Sequence, residues 1–142
     1  MTEPVGGAAP RAVRVPSAAP ALGAYPHLKV VGPWIFVSGT SSRRADGTIE
    51  GTNVGEQTSA VLDRIQTMLQ AVDAGLEDLV QVTCYLVDMA DFDEYNRAYT
   101  ARIPSDGPTR TTVAVLALPG PALRIEIQAI AYRAPATPEE ER

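Results

Sequence analysis

The chain has 142 residues, 45% of them hydrophobic and 20% charged, with a formal net charge of −5. That is length enough for one domain with a real core, and the acidic balance argues against a nucleic-acid partner. No apolar run is long enough to cross a bilayer, no signal-peptide apolar region follows the start, and a reducing cytoplasm is the expected setting. Cys84 and His27 are the only residues of their kinds, so no internal disulfide forms and soft ligands for a zinc site are lacking. No glycine-rich phosphate loop occurs, and chemistry without metal, nucleotide or other cofactor is expected.

In chain order, residues 1–22 are rich in Ala, Pro and Gly and read as a flexible arm, with strand-like character only near 11–15. Residues 27–31 and 34–38 flank Gly32-Pro33 as a hairpin. A polar loop follows, marked by Asp46-Gly47 and Gly51. Val61, Ile65, Met68, Leu69 and Val72 form one helical stripe opposite Asp63, Arg64, Gln66 and Gln70, with Gly75 as the stop. Residues 80–87 alternate as a strand, with Val80, Val82, Cys84 and Leu86 on one side. Cys84 there reads as a small buried hydrophobe. Asp91 is placed as the N-cap of a second helix reaching Ala101, whose Phe92, Tyr95 and Tyr99 make a core stripe.

The runs 111–118 and 123–132 flank Pro119-Gly120-Pro121 and read as two strands joined by a turn. In the second, Leu123, Ile125, Ile127, Ala129 and Ala131 share one face, and Arg124, Glu126 and Gln128 the other. Residues 134–142, with two prolines and three consecutive glutamates, read as a disordered acidic tail, leaving 23–133 as the domain. The order ββαβαββ predicts an α+β fold with both helices on one face of a mixed sheet. The other face, carrying Gln81, Thr83, Tyr85 and the Glu126 row, suits a subunit contact. Arg110 at one strand mouth and Glu126 in the partner strand would converge on a small polar ligand. On spacing alone, an ion pair at a surface or interface is the commoner meaning of such a pattern.

Several separated words occur together: LGAYPHLKV, WIFVSGTSSRR, DMADFDEYNRAY, GPTRTTVAV and IEIQAIAY. Over residues 23–133 the chain resembles the Rid (reactive intermediate deaminase) family, and SGTSSRR and GPTRTTVAV look most like its 2-aminomuconate deaminase branch. The resemblance implies a chorismate-mutase-like homotrimer with a site in each cleft between subunits. It also implies cofactor-free hydrolysis of enamines or imines to keto acids and ammonia. Carried over by position, Arg110 would grip the substrate carboxylate and Glu126 would position or activate water. Tyr25 would line the cleft, and Ser38 and Asn96 would contact ligand. Thr112 stands where members often have cysteine and keeps the backbone N–H. Thr40 replaces a glutamine common in the general imine deaminases, and Gln128 replaces a second glutamate.

The branch's substrate, 2-aminomuconate, carries two carboxylates, so a second anion-binding group is needed. Arg43 or Arg44, on the loop after Ser38, is the candidate, although two solvated loop charges would look the same. The expected reaction converts 2-aminomuconate to its 2-oxo diacid, 4-oxalocrotonate, and ammonia, in aromatic catabolism. A general 2-imino-acid deaminase and a non-catalytic trimeric small-molecule-binding module compete with that reading.

Overall fold

The structure is a computed structural model, and it describes residues 9–134. Residues 1–8 of the expected arm and 135–142 of the expected tail lie outside the described residues. Six strands and two helices follow one another: β1 Arg11–Val13, β2 Leu28–Val31, β3 Trp34–Thr40, α1 Val54–Gln70, β4 Leu79–Leu86, α2 Phe92–Thr100, β5 Thr109–Ala114 and β6 Ile125–Tyr132. They build one mixed sheet in the order β1-β2-β3-β6-β4-β5, antiparallel throughout except for the parallel β4–β5 pair. Both helices pack on the same face of this sheet, as the stripe patterns require.

The core lies between sheet and helices. Alternate residues of β6, Ile125, Ile127, Ala129 and Ala131, are buried, as are Val61, Leu62, Ile65, Met68 and Leu69 of α1. The opposite sheet face is bare. Glu126 pairs with Tyr85 and Gln128 with Thr83 there, while Trp34, Phe36, Val113 and Tyr132 remain exposed on or beside it. Among the described residues no helix is long and apolar enough to cross a membrane.

Four expectations are corrected. First, residues 11–22 are not a flexible arm: the strand character expected near 11–15 is met by β1 pairing antiparallel with β2, and Val15 enters the core. His27 clips this segment, its Nδ1 accepting from Val15 N at 2.9 Å and its Nε2 lying 2.8 Å from Ala19 O. Second, β5 and β6 are not neighbours. β4 inserts between them and pairs with both, because a turn between two strand-like runs does not dictate adjacency.

Third, β4 is not evenly alternating: a register shift between Leu79 and Gln81 buries Leu79 and leaves Val80 exposed. Such a bulge throws one residue out of phase. Fourth, α1 ends before Gly75. Asp73 takes the left-handed conformation at φ 61, and Ala74 N returns to Leu69 O at 3.0 Å. Aspartate tolerates that region better than most side chains, so the stop falls two residues early.

The start of α1 is fixed by Asn53, whose Oδ1 accepts from Glu56 N at 2.8 Å. One turn in, the fully buried Gln57 ties the helix to the approach to β6. Its Nε2 donates to Gly51 O and Ala122 O, and its Oε1 accepts from Arg124 N. Gln57→Ala would strand three backbone groups and is expected to cost roughly 1–3 kcal/mol per unsatisfied group, read as a lower urea midpoint. An unchanged midpoint would show that these groups find other partners.

Candidate active site

The residues singled out by sequence fall into two groups on opposite faces of the sheet. Glu126 projects from the bare face, in register with Tyr85, and lies over Gly39. A bulge makes this possible: Val37 faces Ala129 and Thr40 faces Ile127, so three steps on β3 oppose two on β6. A Cβ at Gly39 would stand 2.7 Å from Glu126 Oε1, so only glycine lets the carboxyl lie there.

Tyr25, Ser38, Thr40, Arg43 and Leu123 line the same cleft as Glu126. Ser38 Oγ donates to Pro26 O at 2.7 Å, and Thr40 Oγ1 donates to Ser38 O at 2.8 Å, so both hydroxyls still have lone pairs to offer a ligand. Residues 18–22 close one side, a contribution that sequence reading assigned to the arm and missed. Burial raises the Glu126 pKa above the usual 4.5, with no partner charge to oppose it.

Arg110 belongs to the other group. It is in register with the buried Val82, on the helix-covered face of edge strand β5. Its guanidinium carbon lies 5.7, 5.2 and 4.6 Å from the ring centres of Phe92, Tyr95 and Tyr99. Nη1 donates to Asn96 Oδ1 at 2.9 Å. Thr112, two residues on and on the same face, shares a 2.6 Å hydroxyl contact with Tyr95. The aromatic stripe read only as core thus also boxes the cation. Its signal was in the sequence: Asn96 sits inside the three-and-four spacing of those rings.

Arg110 and Glu126 therefore do not converge within one chain. β4 separates their strands, and the sheet itself lies between their side chains. Arg44 also points elsewhere, lining a separate groove along α1 with Glu50 and Asp63. Arg124, two residues before Glu126 in sequence, is engaged by Asp91 at 2.7 Å and braces β6 against the start of α2. Asp91 thus serves this pair and makes no side-chain cap hydrogen bond to the helix it precedes. Cys84 is a free, buried thiol whose pKa burial pushes up. Among the described residues no cluster of His, Cys, Asp and Glu is arranged to hold a metal ion.

The cleft beside Glu126 encloses about 70 Å³, against roughly 300–1,000 Å³ for a typical ligand pocket. Within one chain the cleft carries an acid and is open on one flank. The class is an α+β protein of chorismate-mutase-like architecture with a cleft at a sheet bulge.

Comparison with known proteins agrees. Residues 16–133 match the family described as Endoribonuclease L-PSP. A RutC family protein of Pyrococcus abyssi is 37% identical over 113 residues, covering 79% of this chain and 88% of its own. The mitochondrial protein mmf1 of Schizosaccharomyces pombe is 35% identical over 117 residues, covering 75% of this chain and 72% of its own. Among solved structures, yeast YEO7 superposes with a TM-score of 0.82 at 30% identity, over 88% of this chain and 99% of that one. RidA of a Psychrobacter species gives a TM-score of 0.79 at 26% identity, over 86% and 98%. The chain belongs to the endoribonuclease L-PSP family, the group that also carries the Rid, RutC and YjgF names.

Proposed function

We propose that the protein is a cofactor-free enamine/imine deaminase of the cytoplasm, acting on 2-aminomuconate or a close aminodienoate. The reading rests above all on two complementary part-sites. One holds a desolvated carboxyl in a small cleft, the other a guanidinium boxed by aromatic rings and free of any carboxylate partner among the described residues. Neither suffices alone, and a homotrimer whose neighbours face each other would join the Arg110 side of one subunit to the Glu126 side of the next. The exposed Trp34, Phe36, Val113 and Tyr132 give such neighbours an apolar surface to bury.

In this scheme Arg110 binds the substrate carboxylate through its planar fork, helped by the Thr112 backbone N–H. Protonation of the enamine carbon by solvent gives the electrophilic imine. The Glu126 carboxylate takes a proton from water as the water oxygen adds to the C=N carbon, and returns it to the departing nitrogen. Collapse of the carbinolamine breaks the C–N bond and releases ammonia and the keto acid. Tyr25, Ser38 and Asn96 shape and hold the bound chain.

Ammonia release from freshly generated 2-aminomuconate, compared with imines of simple amino acids, tests the activity. Subunit sharing has its own test. Arg110→Ala and Glu126→Gln chains, each inert alone, should regain about one quarter of wild-type activity after equimolar joint refolding, because a random trimer interface then brings together both intact residues that often. No regain would remove the shared site. The family description carries the word endoribonuclease, but a net charge of −5 and an acid in the cleft oppose a polyanion. RNA cleavage without ammonia release would reverse that choice, and tight imine binding without release would favour the non-catalytic module.

A further inference from the structure

Among the described residues, five arginines lie within 4.0 Å of a carboxylate: Arg44, Arg64, Arg102, Arg124 and Arg133. Arg110 and Arg43 do not, and each is instead held by a neutral oxygen. Arg110 donates to the Asn96 amide oxygen, and Arg43 Nη2 donates to Pro20 O. Arg11, Arg14 and Arg97 also lack a carboxylate within that distance, but they line neither the cleft nor the aromatic box. A guanidinium fixed by one neutral acceptor keeps its full charge and most of its five donors for a ligand.

The loop that carries Arg43 is well braced. Arg43 pairs with Ile49 in an isolated bridge, Glu50 N donates to Ser42 O at 2.9 Å, and Arg44 N donates to Thr48 O at 2.7 Å. Successive residues of this small hairpin diverge. Arg43 enters the Glu126 cleft, whereas Arg44 turns to the α1 groove and is neutralised by Glu50. Arg64 also borders the cleft, but Glu50 takes its charge at 3.2 Å. Arg43 is thus the cleft's one guanidinium with charge left over, among the described residues.

We infer that Arg43 binds a second carboxylate, remote from the reacting carbon, so that the site selects dicarboxylate enamines or imines. The inference rests on the deaminase reading and narrows its substrate class. Arg110 takes the carboxylate next to the C=N carbon, Glu126 serves the water, and Arg43 takes the far end. Of the two loop arginines offered by the sequence, the geometry chooses the first.

Muconate and sorbate test this by calorimetry, since both are six-carbon dienes, neither can be deaminated, and only muconate has a second carboxylate. The wild-type protein should bind muconate at least about 10-fold more tightly than sorbate. Arg43→Ala should weaken muconate binding by about 10- to 100-fold and bring the two ligands to similar affinity. Arg43→Lys should restore part of the difference, and Arg44→Ala should leave both affinities as in wild type. Equal wild-type affinity for the two, or an equal loss on both in Arg43→Ala, overturns the proposal. Because no turnover is involved, absence of ammonia release would sink the deaminase reading while the ligand comparison still decides the role of Arg43.

Discussion

Arg110→Ala is expected to lower kcat/KM for ammonia release by about 100- to 10,000-fold, the loss of two charge-assisted hydrogen bonds of roughly 1.5–3 kcal/mol each. The effect should be large because the side chain arrives already oriented. Three rings and Asn96 fix the guanidinium before any ligand binds, so little ordering entropy remains to be lost. Lysine keeps the charge and discards the fork, and Arg110→Lys should recover less than about a tenth of the lost activity. The fold should hardly notice, because a half-buried charge without an anionic partner contributes little to stability. Steady-state kinetics beside thermal unfolding separate the two effects. Near-wild-type turnover in Arg110→Ala would remove the arginine from the mechanism.

Glu126→Gln is the second large change. Removing a general acid–base group costs about 100- to 10,000-fold, here expected in kcat more than in KM because glutamine still fits above Gly39. The pH profile gives an independent reading. Burial raises the pKa of the carboxyl above 4.5, so the carboxylate that activates water is lost as pH falls through that raised value. The acid limb of kcat/KM should therefore lie above that of an exposed glutamate and be absent from the variant's residual activity.

Stability follows the same proton. A carboxyl whose pKa is higher folded than unfolded adds stability below the unfolded value and loses it as pH rises through the folded one. Glu126→Gln should thus raise the melting temperature at pH 7 relative to wild type, and show no such gain at pH 4. An equal shift at both pH values would mean that the carboxyl is not desolvated.

Much of the architecture was legible from local pattern. The Val61–Ile65–Met68 stripe, the hairpin around Gly32-Pro33 and the buried alternation of β6 each need only their own residues to be read. Features set by distant partners were hidden. Nothing in the 111–132 stretch announces that β4 will lie between its two strands, since β4 and β5 are paired in parallel through a crossover. Strand character near 11–15 was legible, but β2 as its partner and the His27 clip on the segment that follows were not. Val80 looks in phase until the register shift displaces it.

For the candidate site, the placement of single side chains was legible and their arrangement was not. Alternation put Glu126 on the bare face correctly, and the spacing of Phe92, Asn96 and Tyr99 held the arginine box in plain view. That Arg110 faces the helices became apparent only when its strand was set in register with Val82 and Cys84.

The aromatic box has one more effect, on alkaline behaviour. Burial pushes the Tyr99 hydroxyl up to about 12 and raises that of Tyr95 as well, against the weaker opposing pull of Arg110. Neither phenol becomes an anion in mildly basic solution, so no internal phenolate competes for the guanidinium. The guanidinium is thus insulated from base, and on the deaminase reading a loss of activity above neutrality is expected to originate elsewhere, in the substrate's own imine–enamine balance or in the packing between protomers.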